Sequence, residues 1–451
     1  MHAGLWRPAL VLALYAAYLP LSGYGAAQFR FDAAEYWELS LKFTRHGGFS
    51  LLAFDEPVRG YVGPLLILPA RLLCHFTGWS MLAGARGLGA CWAALLVGVA
   101  IPQLWHQATG KALSTGRWLA LLALTFVFWR DYFNFTLSDM PALTLLLLGL
   151  VALGRPGWAW AGVAGLLLAA ALNVRPIYLA SVPGGLWLLA RGPGLLRHRA
   201  GRLLALAAGL AVVLAPQFLI NQRHFGRATP LVLGQPHGGR PLYLRQLGWG
   251  TAFQRYETSL VPTIPRSLVY ADSAGQRELA GVPGRQFASY VQYARFAGQH
   301  PAGTAARGLR HLFNGVDIRY PTPYPTRLHP PGQALLRLLN YALLGLGLWL
   351  AGGAWRRRSA LLTGAPVLLA LLLPCLLVLP LLMEPRFLLP LHLLLLTGVV
   401  ACWQPAAWWR GLGSPGRRLA VLALGVGWLW GCWQLSESTA GQLRPPSEAP
   451  Q

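Results

Sequence analysis

The chain has 451 residues, of which 55% are hydrophobic and only 12% are charged. That charged fraction is about half of the ~25% typical of soluble globular domains, so the composition excludes a soluble enzyme with a single hydrophobic anchor. The formal net charge of +24 comes almost entirely from arginine, with only two lysines, and no basic run is interleaved with aromatic residues. We therefore expect a membrane protein that binds no nucleic acid.

Apolar segments of about the length that crosses a bilayer recur along nearly the whole sequence. Eleven spans are predicted, near residues 9–24, 84–104, 118–133, 137–153, 157–172, 175–190, 203–222, 334–353, 361–382, 387–403 and 418–435. The first could also be a signal peptide cleaved near Ala26, but we favour an uncleaved span because an acidic segment follows it. The apolar segment 61–79 is interrupted by Pro64, Pro69, Arg71 and His75, and we interpret it as a half-inserted helix.

The distribution of charge predicts the orientation of these spans. With the N-terminus in the cytoplasm, the short inward loops carry Lys and Arg but no acidic residue, as the positive-inside rule requires. These residues are Lys111, Arg117, Arg155, Arg191, Arg197, Arg199, Arg202, Arg356, Arg357, Arg358, Arg410, Arg417 and Arg418. The fourteen carboxylates, including Glu448, then fall in outer segments or at the outer ends of helices.

Two outer segments are too long to be simple connections. Residues 25–80 form the first, and residues 223–333 form the second, which is rich in Pro, Gly, Arg and Tyr and contains the amphipathic stretch FASYVQYARFAGQH. We therefore expect a transmembrane module at 1–222 that includes the first outer loop, a large outer loop at 223–333, and further transmembrane helices with a short outer tail at 334–451. The fold class expected is an all-α polytopic membrane protein.

Asp32 and Glu35 are the first candidate site residues, in the loop sequence FRFDAAEYWELSLKFTRHGGFS. Because they are three residues apart, they share a face if the segment is helical, and they follow the first span at the depth of the headgroups. Such a carboxylate stays ionised and can act as a base if Arg30 or Arg59 lies close to it. The alternative is a solvated interfacial turn with no catalytic role.

Asp139 and Arg175 are candidates at the outer ends of two predicted spans. In TLSDMPALTLLLLGL, Asp139 or Ser138 followed by Pro141 fits a helix N-cap as well as it fits a site. In AALNVRPIYLA, burying Arg175 alone would cost about 3 kcal/mol or more. We therefore expect a carboxylate or a phosphate beside this arginine.

Two further groups of polar residues lie where spans end. They are Glu384, Arg386 and His392 in LLMEPRFLLPLHLLLL, and Asn221, Arg223, His224 and Arg227 in APQFLINQRHFGRATPLV. A structural ion pair is the alternative for the acid and the arginine of the first group. Cationic side chains that reach out to the headgroups are the alternative for the second.

Motifs for other chemistry are missing from the sequence. There is no P-loop, no H-E-x-x-H, no G-x-S-x-G and no C-x-x-C, and the glycine-rich GARGLGA opens an apolar helix, so ATP hydrolysis is not expected. The five cysteines are odd in number and lie in or beside apolar segments. We interpret them as small core residues.

Five segments together resemble the GT-C glycosyltransferases, and most closely the branch that contains the protein mannosyltransferases and the lipid A aminoarabinose transferase. In order they are FDAAEYWELSLKFTRHGGFS, RGYVGPLLILPARLL, LSDMPA, NVRPIYL and INQRHFGRATPL, with a weaker match at MEPRFLLP. The resemblance covers about residues 1–240. It implies a GT-C-like bundle with two large extracytoplasmic loops, a sugar donor on polyprenyl phosphate such as undecaprenyl phosphate, and a glycan, lipid or protein acceptor at the periplasmic face of the bacterial inner membrane.

The resemblance also implies roles for individual residues. Asp32 matches the catalytic acid of the family, which would deprotonate the acceptor for direct, inverting attack on the anomeric carbon. Arg59 would hold the leaving phosphate with help from Tyr36, Arg175 is a second phosphate candidate, and Asp139 matches the second outer acid. The remaining candidates are Glu35 for catalysis, Arg386 for the phosphate, and Glu384, Asn221, Arg223 and His224 for the acceptor or the second loop.

The sequence departs from the family in two places. Ala33 and Ala34 separate the two acids where many relatives have adjacent acids, which leaves the role of Glu35 open. The family's Pro-Gly-Tyr-Pro pattern is reduced to GYVGP at Gly60–Pro64. Because the acids form no clear metal-binding cluster, we expect that no cofactor is strictly required, with a divalent metal as the alternative.

Other functions remain open at the level of sequence. An O-antigen ligase or polymerase uses a diphosphate-linked donor and carries arginines in a large outer loop, as this chain does. A lipid or sugar transporter, such as a flippase, would place charged residues at mid-helix, whereas the acids here lie at the outer rim. A purely structural membrane protein leaves the acids of the first loop unexplained.

Overall fold

The computed structural model describes residues 4–45, 47–191, 196–236, 239–262, 267–355 and 358–444. The helices are α1 (Trp6–Tyr18), α2 (Phe31–Leu39), α3 (Val62–Thr77), α4 (Met81–Ala93), α5 (Ile101–Thr109), α6 (Thr115–Trp129), α7 (Asp139–Leu153), α8 (Trp158–Val174), α9 (Val182–Ala190), α10 (Leu196–Phe225), α11 (Leu242–Ala252), α12 (Ser273–Leu279), α13 (Tyr290–Gln299), α14 (Pro301–Val316), α15 (Gln333–Trp355), α16 (Arg358–Val378), α17 (Leu389–Cys402), α18 (Pro405–Gly411) and α19 (Pro415–Ala440). With 74% of the structure helical, the predicted all-α class is confirmed.

Several of these helices suit a membrane. Five are long and apolar enough to cross one, namely Met81–Thr109, Arg199–Phe225, Gln333–Gly353, Pro385–Cys402 and Pro415–Ala440, and six shorter apolar helices also occur in the described part of the chain. In the first of the five, a π-helical stretch at Ala94–Ala100 joins α4 to α5. The predicted count of eleven spans stays a prediction, as does the orientation. Arg356, Arg357 and Glu448 lie outside the described residues.

The helix predicted within the apolar segment 61–79 is α3, a continuous helix of 16 residues that contains two prolines. Pro64 lies in its first turn, where the missing N–H has no intrahelical partner to lose. Pro69 lies in the interior and removes only one backbone hydrogen bond. The helix expected in this segment is therefore present, and its half-insertion into the membrane stays a prediction.

The chain divides into two compact units that alternate along the sequence. Unit 1 comprises Met1–Leu113, Trp129–Leu242 and Thr363–Pro374, and unit 2 comprises Ser114–Phe128, Tyr243–Leu362 and Cys375–Gln451. Both units therefore contain apolar helices together with part of the large segment predicted as an outer loop at 223–333.

In unit 1, α8 packs along α7 and α10. A buried cluster of Ala152, Leu153, Ala164, Leu189 and Leu206 forms part of the core. A Cβ atom on Gly165 would lie 2.1 Å from the carbonyl oxygen of Leu206, so the two helix backbones cross too closely for any other residue there. Small residues at such crossings are typical of helices packed inside membranes.

Unit 2 contains the only strands of the described residues, which form one small antiparallel sheet. The strands are β1 (Phe253–Thr258), β2 (Ser267–Ala271) and β3 (Leu443–Arg444), in the order β1-β2-β3. The segment predicted as a free outer tail thus contributes an edge strand to the sheet. The amphipathic stretch predicted around residues 287–300 is α13, with Phe296 buried on its inner face.

The five cysteines are free thiols. Cys74, Cys375 and Cys432 are buried, as expected of small core residues, whereas Cys91 and Cys402 are exposed at the protein surface. The expectation was therefore confirmed for three of the five and wrong for the other two.

Candidate functional site

The N-terminus of α2 places the first candidate acid. Arg30 is the N-cap residue in extended conformation, and Asp32 lies in the first turn, where a negative charge interacts favourably with the helix dipole. Between them, Phe31 has a φ of +56°, in the left-handed region that costs a bulky residue free energy. Strained backbone of this kind is often concentrated at functional sites.

Arg59 joins both predicted acids in one cluster. Its Nη2 lies 3.1 Å from an Oδ of Asp32 and 3.3 Å from an Oε of Glu35. Its Nη1 donates a hydrogen bond of 3.3 Å to the hydroxyl of Tyr36, whose ring centroid lies 5.0 Å from the guanidinium carbon. The predicted approach of an arginine to Asp32 is confirmed, and Arg59 rather than Arg30 makes this contact.

The electrostatics of this cluster keep Arg59 ionised. Burial alone lowers the pKa of a guanidinium, but Tyr36, Asp32 and Glu35 raise the pKa of Arg59 above its ordinary value. Two carboxylates and one guanidinium leave a formal charge of −1 among these three charged groups. The side chains of Asp32 and Arg59 are 29% and 24% exposed, so a ligand can reach them.

A second ion-pair system lies around Asp55, in the segment 25–80 that was predicted as the first outer loop. Lys42 Nζ is 2.6 Å from Asp55 and 3.4 Å from Glu56, and Arg45 also contacts Asp55 at 3.2 Å. Although burial raises the pKa of the Asp55 carboxyl, the hydrogen bond and charge of Lys42 hold it below its ordinary value. Like Asp32, Asp55 is a partly exposed aspartate that pairs with a cation, but it pairs with Lys42 and Arg45 instead of Arg59. Asp55 is therefore a matched control for Asp32.

Asp139 and Arg175 form an ion pair, which confirms the expected carboxylate beside this arginine, whose side chain is 18% exposed. Asp139 is the first residue of α7 and is 1% exposed, and Arg175 directly follows α8 in an extended conformation that ends the helix. Ser138 occupies the N-cap position of α7, as the N-cap alternative predicts, but it makes no side-chain cap hydrogen bond. The pair joins the N-terminal end of α7 to the C-terminal end of α8.

A cleft of about 480 Å³, part of it open to solvent, is lined by one member of the Arg59 cluster and by the chain neighbours of Asp139. Tyr36 of the Arg59 cluster lines it, and so do Ser138 and Met140 on either side of Asp139. The other walls are mainly apolar and come from α3, α4 and the segment before α7, with Trp92 and Phe133 among the largest side chains. The cleft therefore connects an ionic cluster to an apolar surface within unit 1.

The predicted residues at the start of the second outer segment have different surroundings. Arg223 is exposed, and no contact assigns it to the Arg59 cluster. His224 is exposed, and its Nε2 lies 2.8 Å from the carbonyl oxygen of Leu52 in the first outer loop. Asn221 is fully buried and bonds to backbone carbonyls, so it supports the loop from inside.

Glu384, Arg386 and His392 belong to unit 2. Arg386 Nε lies 2.6 Å from Glu384, which confirms the structural ion pair expected as the alternative reading of these two residues. His392 is fully buried and lies 2.9 Å from the side-chain oxygen of Asn340. Their roles in donor or acceptor binding stay predictions.

Sequence reasoning missed the residues that support the cluster from behind. Thr136 Oγ1 donates a 2.6 Å hydrogen bond to the carbonyl oxygen of Ala33 within α2. Asn173 accepts a 2.9 Å hydrogen bond from the backbone N–H of Val62 at the start of α3. Buried polar residues two positions from a candidate, as Asn173 is from Arg175, were the available signal.

The described residues contain no group of three or more His, Cys, Asp or Glu side chains placed to hold a metal ion. The metal requirement stays a prediction. Comparison with protein-family models, curated protein sequences and solved structures found no match for the chain.

Proposed function

We propose that this chain is an integral membrane glycosyltransferase that moves a sugar from a polyprenyl-phosphate donor to an acceptor at the outer face of the bacterial plasma membrane. One observation carries the proposal. Arg59 holds Asp32, Glu35 and Tyr36 in a partly exposed cluster, and Tyr36 also lines a mainly apolar cleft. Transfer from a lipid-linked donor requires a base for the acceptor, a cation for the donor phosphate and an apolar surface for the lipid chain.

The donor phosphate binds Arg59 in this proposal. A phosphate presents oxygens that match the planar fork of a guanidinium, as carboxylates do, so it can replace Asp32 or Glu35 on Arg59. The side chains of the cluster are partly exposed, so a phosphate can reach Arg59 and make this exchange. Displacement of Asp32 from Arg59 by the phosphate frees the carboxylate to accept a proton.

The chemical step then follows from these positions. The acceptor oxygen forms a bond to the anomeric carbon while the bond from that carbon to the phosphate oxygen breaks. Asp32 takes the proton of the acceptor, and the polyprenyl phosphate leaves with its negative charge on Arg59. The sugar is transferred with inversion, and no electrons are exchanged with a cofactor.

The apolar walls of the cleft suit the first part of the lipid chain. Trp92, Phe133 and Ile67 contribute hydrophobic surface next to the cluster. Burial of such surface contributes roughly 25 cal/mol per Å². We propose that the donor enters with its phosphate at Arg59 and its chain along these side chains.

The test is transfer of radiolabelled sugar in membranes that contain wild-type protein, Asp32→Asn or Asp55→Asn at matched expression. We expect transfer from a polyprenyl-monophosphate donor by the wild type and by Asp55→Asn, and a loss of about a hundredfold in Asp32→Asn. Equal transfer by all three proteins removes Asp32 from the mechanism. Transfer only from a diphosphate-linked donor identifies a ligase or polymerase instead.

A flippase is distinguished by a second assay with the same proteins. Reconstituted vesicles with labelled donor on one side report movement of intact donor across the bilayer. Movement without transfer to any acceptor contradicts the proposal and favours a transporter.

A further inference from the structure

Three buried amide side chains form a continuous hydrogen-bonded chain in unit 1. Asn173 Nδ2 donates to Gln217 Oε1 at 2.8 Å, and Gln217 Nε2 donates to Asn221 Oδ1 at 2.9 Å. Asn221 Nδ2 then donates to the carbonyl oxygens of Thr229 and Leu231 at 2.7 and 2.8 Å. The three amides are at most 2% exposed, so these hydrogen bonds form away from water, where a lost bond is costly.

One end of this amide chain holds the turn that carries Arg59. Asn173 Oδ1 accepts the N–H of Val62 at 2.9 Å. A Cβ atom on Gly60 would lie 2.0 Å from the backbone oxygen of Asn173 and 2.3 Å from its Oδ1. Only glycine allows this approach, so the residue after Arg59 rests directly on Asn173.

The other end holds the first residues of the second outer segment, which we call the strap, residues 229–234. The strap also reaches the first outer loop, because Gly234 N–H donates to the carbonyl oxygen of Pro57 at 2.9 Å. Pro57 is two residues before Arg59. The turn with Arg59 is therefore tied to the strap directly on one side and through the amide chain on the other.

The strap is not packed solidly against the helices beneath it. Pro230, Leu231 and Val232 form part of the wall of a separate cleft of about 350 Å³, part of it open to solvent, and Asn173 and Pro176 form part of another wall. A small movement of the strap is therefore possible without a clash on that side. The hydrogen bonds of Asn221 to the strap would transmit such a movement to Gln217 and Asn173.

We propose that Asn173, Gln217 and Asn221 are positioning residues, which couple the strap of the second outer segment to the position of Arg59. The inference rests on the proposed function, in which Arg59 holds the donor phosphate. An acceptor that contacts the strap thereby adjusts the donor site without touching it. The amide chain is one of two connections between the strap and the turn with Arg59, so a break in it weakens the coupling while the hydrogen bond from Gly234 to Pro57 remains.

Gln217→Met tests this coupling, because Gln217 touches neither Arg59 nor the strap. We expect the KM for the polyprenyl-phosphate donor to rise about tenfold, with the KM for the acceptor and kcat changed less than about threefold. Gln222→Met on the same helix is the control, since Gln222 is exposed.

A second measurement does not depend on transfer. The shifts in Tm caused by Gln217→Met and Arg59→Met are compared with the shift of the double variant in detergent. Coupling predicts that the two shifts fail to add, whereas the pair Gln222→Met and Arg59→Met should add.

The outcomes separate the two proposals. Additive shifts, or an unchanged donor KM in an active Gln217→Met protein, overturn the coupling and leave the transferase proposal intact. Non-additive shifts in a protein without transfer from any donor support the coupling and overturn the proposed function.

Discussion

Two arginine and carboxylate clusters of this protein use the same chemical groups in opposite ways. In unit 1, the three charged side chains of the Arg59 cluster are between 24% and 45% exposed and carry a formal charge of −1. In unit 2, Asp317 is fully buried and accepts hydrogen bonds from Arg255 at 3.0 Å, Arg319 at 3.0 Å, Ser436 at 2.6 Å and Tyr341 at 2.9 Å.

The second cluster, which we call the Asp317 network, is neutral and closed. Arg255 and Arg319 balance Asp317 and Glu257, which lies 2.5 Å from Arg255. Its residues come from β1, the segment after α14, α15 and α19, so it joins the sheet of unit 2 to apolar helices. The charges of this network are buried, whereas in the proposed function a phosphate replaces a carboxylate on Arg59. The two clusters have the same charged residue types and differ in exposure.

Asp317→Asn should give the largest effect on stability. The substitution removes one of two anions and leaves Arg255 and Arg319 buried with only Glu257 to balance them. Loss of one partner from a buried ion pair costs about 3–5 kcal/mol. Thermal unfolding in detergent measures the change, with Asp55→Asn as a half-exposed control. A shift in Tm no larger than that of the control would contradict the structural role.

Acid should weaken the same network. Burial raises the pKa of a carboxyl, but Arg255, Arg319, Ser436 and Tyr341 hold the pKa of Asp317 below its ordinary value of 3.8. Because the folded-state pKa is lower than the unfolded-state pKa, this contribution to stability is complete above about pH 5 and is lost as pH falls through 3.8 and below. Wild-type Tm measured between pH 3 and 6 should therefore fall more steeply at the acid end than that of Asp317→Asn.

Arg175→Leu should destabilise unit 1 by about 3 kcal/mol, because it removes the cation beside a carboxylate that is 1% exposed. A double variant with Asp139→Leu should regain much of this loss, since it removes both charges. Unfolding in detergent measures both proteins. If the double variant is less stable than the single one, the pair is not the source of the effect.

Arg59→Lys should affect transfer more than stability. A lysine keeps the charge but not the planar fork, so we expect a loss of about 10- to 100-fold in transfer. The free energy of unfolding should change by about 1 kcal/mol or less, as is usual for partly exposed ion pairs. Transfer assays and unfolding of the same preparation check both statements. A large loss of stability would place Arg59 with the structural pairs instead.

Glu35→Gln should have the smallest effect, and in the favourable direction for donor binding. The substitution removes one of the two anions that compete with the donor phosphate for Arg59. We expect the donor KM to fall about threefold, because the competing charge is partly exposed and screened by solvent. A loss of kcat as large as that in Asp32→Asn would instead give Glu35 a catalytic role.

The sequence predicted the local chemistry better than the support behind it. The cost of a buried arginine was enough to predict a partner for Arg175, and Asp139 is that partner. Arg30 and Arg59 were both candidates to approach Asp32. The positions of α2 and of the turn before α3 bring Arg59 to it. The Asp317 network was not predicted, because its members lie up to 181 residues apart in sequence (255 to 436) and no motif marks them. Asn173 was missed because an amide carries no charge. Its burial therefore did not demand an oppositely charged partner that the sequence could have supplied.

The ion pair between α7 and α8 also bears on how the protein reaches the membrane. The helices are joined by the four residues 154–157, and the pair lies at the opposite end from this turn. Alone, each helix would enter lipid with a charge at its end, at a cost of up to about 3 kcal/mol if that charge were drawn to the centre. Inserted together as a hairpin, they carry no net charge at that end. We therefore expect Arg175→Leu to slow insertion of α7 in a translation and translocation assay. The ion pair would then assist insertion of the two helices before the protein has folded.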